Sequence, residues 1–146
     1  MSARQPILEQ WIAKTIQEYP SAAITFISVE KDPFRNPVGH TVRQSLTVLF
    51  DQLQGQMDPG VIEPALDAII RLRAVQDFTA SQAVRFVFAL KSVLREAAPA
   101  SDQARLDERI DQLALMTFDK YMQCREQLAE IRIKDSRRDI VRQSAG

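Results

Sequence analysis

Thr79-Ala80-Ser81-Gln82-Ala83-Val84-Arg85-Phe86-Val87-Phe88-Ala89-Leu90-Lys91-Ser92-Val93-Leu94-Arg95 reads as a helix with a marked beginning. Thr79 and Gln82 have the spacing of a capping box, in which each side chain satisfies a backbone N–H at the helix start. The residues that follow are apolar on most sides, while Arg85, Ser92 and Arg95 mark a narrow polar stripe. The pattern predicts a helix over 80–97 that is the central, most buried element of an all-α fold.

Towards the C-terminus, Ala98-Pro99-Ala100 breaks the pattern and Ser101 or Asp102 is the expected N-cap of a further helix. From there the chain meets no Pro or Gly until Gly146, so a single long helix is the simplest reading. Leu106, Ile110, Leu113, Thr117, Tyr121, Cys124, Leu128 and Ile131 step along it by threes and fours, closer to a 3.6 than to a 3.5 period. That seam suits packing in a bundle rather than a sustained coiled coil. Leu115, Phe118 and Met122 add a second stripe, which predicts cover on two sides at mid-helix. After Ile133 only Ile140 and Val141 are apolar, so 132–146 is expected to project or fray. Residues 102–130 hold seven acidic and four basic side chains, and 131–142 two acidic and five basic. This order suits the helix dipole and leaves the basic end, with Leu128, Ile131, Arg137 and Arg138, as a candidate partner surface.

Towards the N-terminus, Asp58-Pro59-Gly60 is turn chemistry, and Pro64 fits the first turn of a helix whose inward face is Leu66, Ile69, Ile70 and Val75. Before it, Thr41 can cap a helix with Val42, Leu46, Leu49, Phe50 and Leu53 on one face and Gly55 at its end. The run Asp32–Gly39, with two prolines, an Asn and a Gly, is expected to be an ordered loop. Leu8, Trp11, Ile12, Thr15, Ile16 and Tyr19 share a helix face that Pro20 interrupts, and a short helix near Ser21 should bury Ala23, Ile24 and Ile27. The expectation is one all-α domain over 1–146, a bundle of five to six helices with globin-like or similar orthogonal packing and a long C-terminal helix.

Composition narrows the function. Nineteen basic and nineteen acidic residues balance to zero, which argues against nucleic-acid binding, because affinity for phosphate backbones is carried by excess Lys and Arg. One cysteine allows no intrachain disulfide, and neither a secretion signal nor a bilayer-length apolar stretch is present, so a cytoplasmic protein without membrane insertion is expected. His40 is the lone histidine, which removes two-His di-iron sets and HExxH zinc sites. It sits at the end of a Pro-rich loop, a poor place for a haem ligand, so no metal and no cofactor is expected. Cys124 lies in the apolar seam and reads as packing. With no phosphate loop and no Ser/His/Asp set, the chain is not expected to be an enzyme. Arg71, Arg73, Gln76 and Asp77 are candidates to converge with Arg35 and Asn36 on an anion or a partner carboxylate, and His40 is a separate binding candidate. The alternative is that they tie two loops to the bundle by hydrogen bonds.

The run from Asp32 to His40 and the run Arg73-Ala74-Val75-Gln76-Asp77-Phe78-Thr79-Ala80-Ser81-Gln82-Ala83-Val84 are unusual words. With Trp11, Tyr19-Pro20 and the segment Phe118-Asp119-Lys120-Tyr121-Met122-Gln123-Cys124-Arg125-Glu126, they give a sequence that resembles the RsbRD-type N-terminal domain family. Ala80 stands where that family favours Pro. The resemblance implies an all-helical sensor or input domain of bacterial stress signalling, often fused to a STAS domain or a kinase-type output. With Gly146 as the last residue, the expectation is a stand-alone module that passes its signal to a separate signalling protein, or to a second copy of itself, through the long helix. The alternative is a small-molecule-binding domain with a pocket beside the helix of Phe86 and Phe88.

Overall fold

Three of the helices begin where a capping side chain supplies what a first turn lacks. A computed structural model describes residues 4–20, 23, 27 and 29–145, and among them are five long α-helices and no strand. These are α1 (Arg4–Ile16), α2 (Pro37–Gln54), α3 (Pro59–Val75), α4 (Ala80–Ala97) and α5 (Ala100–Ala145). Ala23, Ile27 and Val29 are helical, and Ile27 is buried, but the rest of the short helix expected near Ser21, Ile24 included, lies outside the described residues.

Two helix starts, those of α2 and α3, differ from the sequence expectation for one reason: proline at the first helical position has no N–H to lose there. The cap of α2 is Asn36 rather than Thr41. Pro37 follows it, and the Asn36 Oδ1 accepts from the Gly39 N–H at 2.9 Å. Gly39 and His40 are thus helical, and the ordered loop is shorter than expected. Asp58 caps α3 by accepting from the Gly60 N–H at 2.9 Å, with Pro59 next, so Pro64 lies inside the helix and not in its first turn. α5 starts at Ala100, ahead of the expected Ser101 or Asp102 cap, because the Pro99 carbonyl accepts from the Asp102 and Gln103 N–H groups at 3.0 and 3.1 Å. The capping box of α4 is formed as expected, with Thr79 N–H donating to Gln82 Oε1 at 2.9 Å and Gln82 N–H to Thr79 Oγ1 at 3.3 Å.

The helices pack as a closed ring. α1 lies against α2 and α4, α2 against α3, and α5 completes the circuit by packing on α3 and α4. Trp11, Phe50, Phe86, Leu46, Leu49, Leu66, Ile69, Leu90 and Ile110 fill the interior. Trp11 is the hub: its ring lies 6.3 Å from those of both Phe50 and Phe86, and its Nε1–H donates to the Phe86 carbonyl at 2.7 Å. In this ring α4 is not the single central helix. α2, α3 and α4 each bury seven residues, and Phe88 stands outward, about half exposed, with the Lys91 ammonium 6.0 Å from its ring.

The mid-helix stripe Leu115, Phe118 and Met122 is likewise exposed instead of covered, because α5 meets the bundle along one face only. Val75, expected inward, is exposed at the end of α3. α5 is fastened to the ring by Arg109, which donates to the Leu53 and Gly55 carbonyls at 2.8 and 2.6 Å, where α2 leaves its last carbonyls without helical partners. Lys91 reaches Asp107 and Asp111 at 3.2 and 2.6 Å, and Lys120 reaches Glu63 at 2.9 Å. From Ala129 through Gln143 every residue is exposed, and α5 stays helical as far as Ala145.

Candidate functional site

A charged side chain on an inward helix face needs partners, and Arg73 is the case here. It follows Leu66, Ile69 and Ile70 at helical spacing on the buried face of α3 and has no exposed surface. Its Nη1 donates to Glu18 Oε2 at 2.7 Å and to the Gln82 and Ala83 carbonyls at 3.1 and 3.4 Å. Three aromatic rings surround the guanidinium, with Cζ 5.2 Å from the Tyr19 centroid, 5.1 Å from Phe78 and 5.0 Å from Phe86. Buried cation–π contacts of this kind and the ion pair with Glu18 offset the cost of taking the charge out of water.

The pairing is incomplete. Arg73 Nε, Arg73 Nη2 and the Tyr19 hydroxyl are buried with no hydrogen bond of good geometry among the described residues, although the hydroxyl stands close enough to the guanidinium for a weak bond to act on the phenol. Burial pushes the Glu18 carboxyl above its ordinary range, more than the attraction of Arg73 draws it down. Burial also pushes the Tyr19 phenol up, against the pull of the same guanidinium. Beside this cluster a cleft of ≈ 370 Å³ is lined by Glu18, Tyr19, Gln76, Asp77, Phe78, Gln82 and Arg85.

The turn between α3 and α4 forms one wall. It is a Schellman turn: the Phe78 N–H donates to the Arg73 carbonyl and the Asp77 N–H to the Ala74 carbonyl, at 3.1 and 3.2 Å. Asp77 occupies the left-handed position, φ 60°, where glycine is commonest. The turn is tied to α5 at three points. The Tyr121 hydroxyl donates to the Phe78 carbonyl, and Arg125 and Arg132 lie 3.5 and 3.7 Å from Asp77 Oδ1.

The sequence candidates therefore separate. Arg73, Gln76 and Asp77 meet at this turn. Asn36 is a buried bolt: its Nδ2 donates to the Ile27 and Glu30 carbonyls, both at 2.8 Å, while Arg35 is exposed and 4.0 Å from Glu30. His40 is exposed and lines another cleft with Asn36, Lys31 and Arg43. Arg71 turns away from Arg73, pairs with Asp67 at 2.7 Å, and lines a groove between α3 and α5 with Val75, Cys124, Leu128 and Ile131. Arg137 and Arg138 lie on the exposed end of α5. Phe86 is closed in by Trp11 and Arg73, and the cleft beside α4 lies at its first turns, lined by Gln82 and Arg85.

Glu18, Tyr19 and Tyr121 belong to the site and were not among the sequence candidates. Their signal was faint: a carboxylate and a phenol just past the end of α1 meet Arg73 only once the chain, 55 positions on from Glu18, has folded back. Cys124 is buried and burial raises its thiol, as its place in the seam suggests. Among the described residues no group of three or more His, Cys, Asp or Glu is placed to hold a metal ion, and no helix is long and apolar enough to cross a membrane.

Comparison with known proteins gives one family and one relative. The family model described as the RsbT co-antagonist protein rsbRD N-terminal domain matches residues 5–135. An uncharacterised protein of Archaeoglobus fulgidus is 21% identical over 140 residues, covering 94% of this chain and 87% of the relative. No solved structure matches.

Proposed function

The chain belongs to the RsbT co-antagonist protein rsbRD N-terminal domain family, and from that premise we propose that it is a cytoplasmic, non-enzymatic regulatory module that acts through protein contacts along α5. One observation carries this reading. At 100° per residue, Leu115, Phe118, Met122, Ile133 and Ile140 fall within about 60° of one another on α5 and make a stripe about 38 Å long. All five are between 42% and 69% exposed. Single exposed apolar residues need no explanation, but an aligned stripe on a helix that outruns its own bundle is the form a helix-docking partner surface takes. Arg137 and Arg138 flank its distal end, while Leu128 and Ile131 border the groove against α3.

The turn at Gln76–Phe78 supplies the connection from the bundle to that helix. A change at Arg73 reaches α5 through Phe78 to Tyr121 and through Asp77 to Arg125 and Arg132. A second reading, self-association, is favoured by the charge order of α5. Two copies laid antiparallel set the acidic half of one against the basic end of the other.

The test is the paired substitution Ile133→Asp and Ile140→Asp. Both positions lie beyond the core, so thermal stability stays unchanged. Capture of a signalling partner, or the dimer fraction in sedimentation, should fall at least tenfold, because burying a carboxylate in an apolar contact is costly. Association at wild-type strength would refute the stripe as the contact surface.

A further inference from the structure

We propose that α5 pairs antiparallel with the α5 of a second copy, about a twofold axis between Gln127 and Leu128, so that the distal half of each helix covers the stripe from Leu115 to Met122 on the other. This names the partner and the register of the contact surface on α5, and it rests on the reading of that helix as the contact element. The spacing of the stripe carries it. Leu115, Met122, Ile133 and Ile140 are separated by 7, 11 and 7 residues, a series that reads the same in both directions. Seven and eleven residues are both close to whole numbers of helical turns, so the four keep to one face. Reversed on itself about that axis, the series sets Leu115 level with Ile140 and Met122 level with Ile133, and Phe118 falls between these contacts. All five are between 42% and 69% exposed. Ala129, also exposed, stands next to the axis on the same face and lets the two helices come close there.

The face is open along its length. Leu106, Ile110, Leu113, Thr117, Tyr121 and Cys124, which hold α5 to the bundle, are buried and lie on the opposite side of the helix. The two bundles therefore sit outside the pair, at opposite ends, and neither blocks the contact. Charge selects the direction. Asp119 and Arg137 share one flank of the stripe, and both are exposed. In the antiparallel register Asp119 comes within one residue of level with Arg137 of the partner subunit, and the twofold axis repeats the ion pair. A parallel pair would set each charge of α5 against its own like, Asp119 on Asp119 and Arg137 on Arg137, which is repulsive. Glu126 and Glu130 edge the contact near the axis, where both are exposed to water, and Lys134, one turn on from Glu130, offsets the second.

The experiment mixes two full-length variants, Leu115→Cys and Ile140→Cys, carrying tags of different size, under mild oxidation. Both positions are exposed, so the fold is kept, and the wild type, whose one thiol is buried, is the control. In the antiparallel pair the two new thiols face each other, whereas two copies of either one are about 38 Å apart, beyond the reach of a disulfide. The mixed disulfide should exceed both homodimeric disulfides about tenfold. Arg137→Asp should weaken the dimer in sedimentation about fivefold, and adding Asp119→Arg should restore it. Homodimeric disulfides that dominate the mixture show a parallel pair and overturn the proposal, as does a chain that sediments as a monomer at every concentration. Capture of a different protein through α5 by a chain found to be monomeric leaves the regulatory reading standing.

Discussion

Arg73→Met removes the buried cation but keeps an unbranched side chain in its place. The cost follows from what is left behind. Glu18, largely buried, loses the Nη1 donor at 2.7 Å, and its carboxyl is already raised by burial even with Arg73 present. Removing one member of a buried ion pair costs about 3–5 kcal/mol, because the remaining charge is uncompensated. For a domain of this size that corresponds to a fall of about 10–16 °C in Tm. Adding Glu18→Gln to Arg73→Met removes the orphaned charge as well and should restore about 2 kcal/mol or more, since replacing both members of a buried pair is far milder than breaking it. Urea denaturation of the wild type, both single variants and the double variant gives the coupling energy directly. A cost below about 1 kcal/mol for Arg73→Met, with no coupling to Glu18, would refute the reading of Arg73 as a buried, pair-dependent cation.

Other perturbations test neighbouring parts of the account. Gly39→Ala places a Cβ 2.3 Å from Asn36 Nδ2 and 2.7 Å from the Ile27 carbonyl; it should break the Asn36 bolt and cost about 3 kcal/mol in thermal unfolding. The Glu18 carboxyl is raised above its ordinary 4.5 in the fold, so the folded state holds that proton more tightly than the unfolded state. Its contribution to stability is full below the ordinary value and is lost as pH rises through the raised one. Glu18→Gln should therefore gain stability relative to wild type as pH rises through this window, and a pH-independent difference in urea titrations would count against the buried assignment. The Cys124 thiol, buried and raised by burial, should react with a thiol reagent at the rate of global or local opening, with full reactivity only in denaturant.

The parts of the fold that were legible in the sequence are those decided locally. Thr79 and Gln82 are three residues apart, and nothing distant competes for them, so the capping box forms as the spacing predicts. The long helix was legible because a run without Pro or Gly has few alternatives. The Asn36 and Asp58 caps were misplaced because Pro37 and Pro59 read as breakers, whereas proline at a first helical position begins a helix. Leu115, Phe118 and Met122 read as a stripe that required cover, but apolarity does not say whether the cover comes from the same chain. At the site, Arg73 was visible as an arginine near an inward face, along with Gln76 and Asp77. Glu18 and Tyr19 were not, because ring closure, not spacing, brings the end of α1 to α3. Of the two readings of Arg35 and Asn36, convergence on an anion or loops tied to the bundle by hydrogen bonds, Asn36 has the hydrogen bonds of the second, since it spends its side chain on the Ile27 and Glu30 carbonyls.

The central claim is that this module acts through the projecting part of α5, and capture from the native host by the tagged full chain beside a version ended after Gln127 tests it most directly. The shortened chain keeps the buried seam from Leu106 to Cys124 and should remain folded, since the residues from Ala129 through Gln143 are all exposed. The account predicts that a specific protein, or a second copy of the chain, is held by the full-length form and lost from the shortened, folded one. Equal retention by both forms would contradict it.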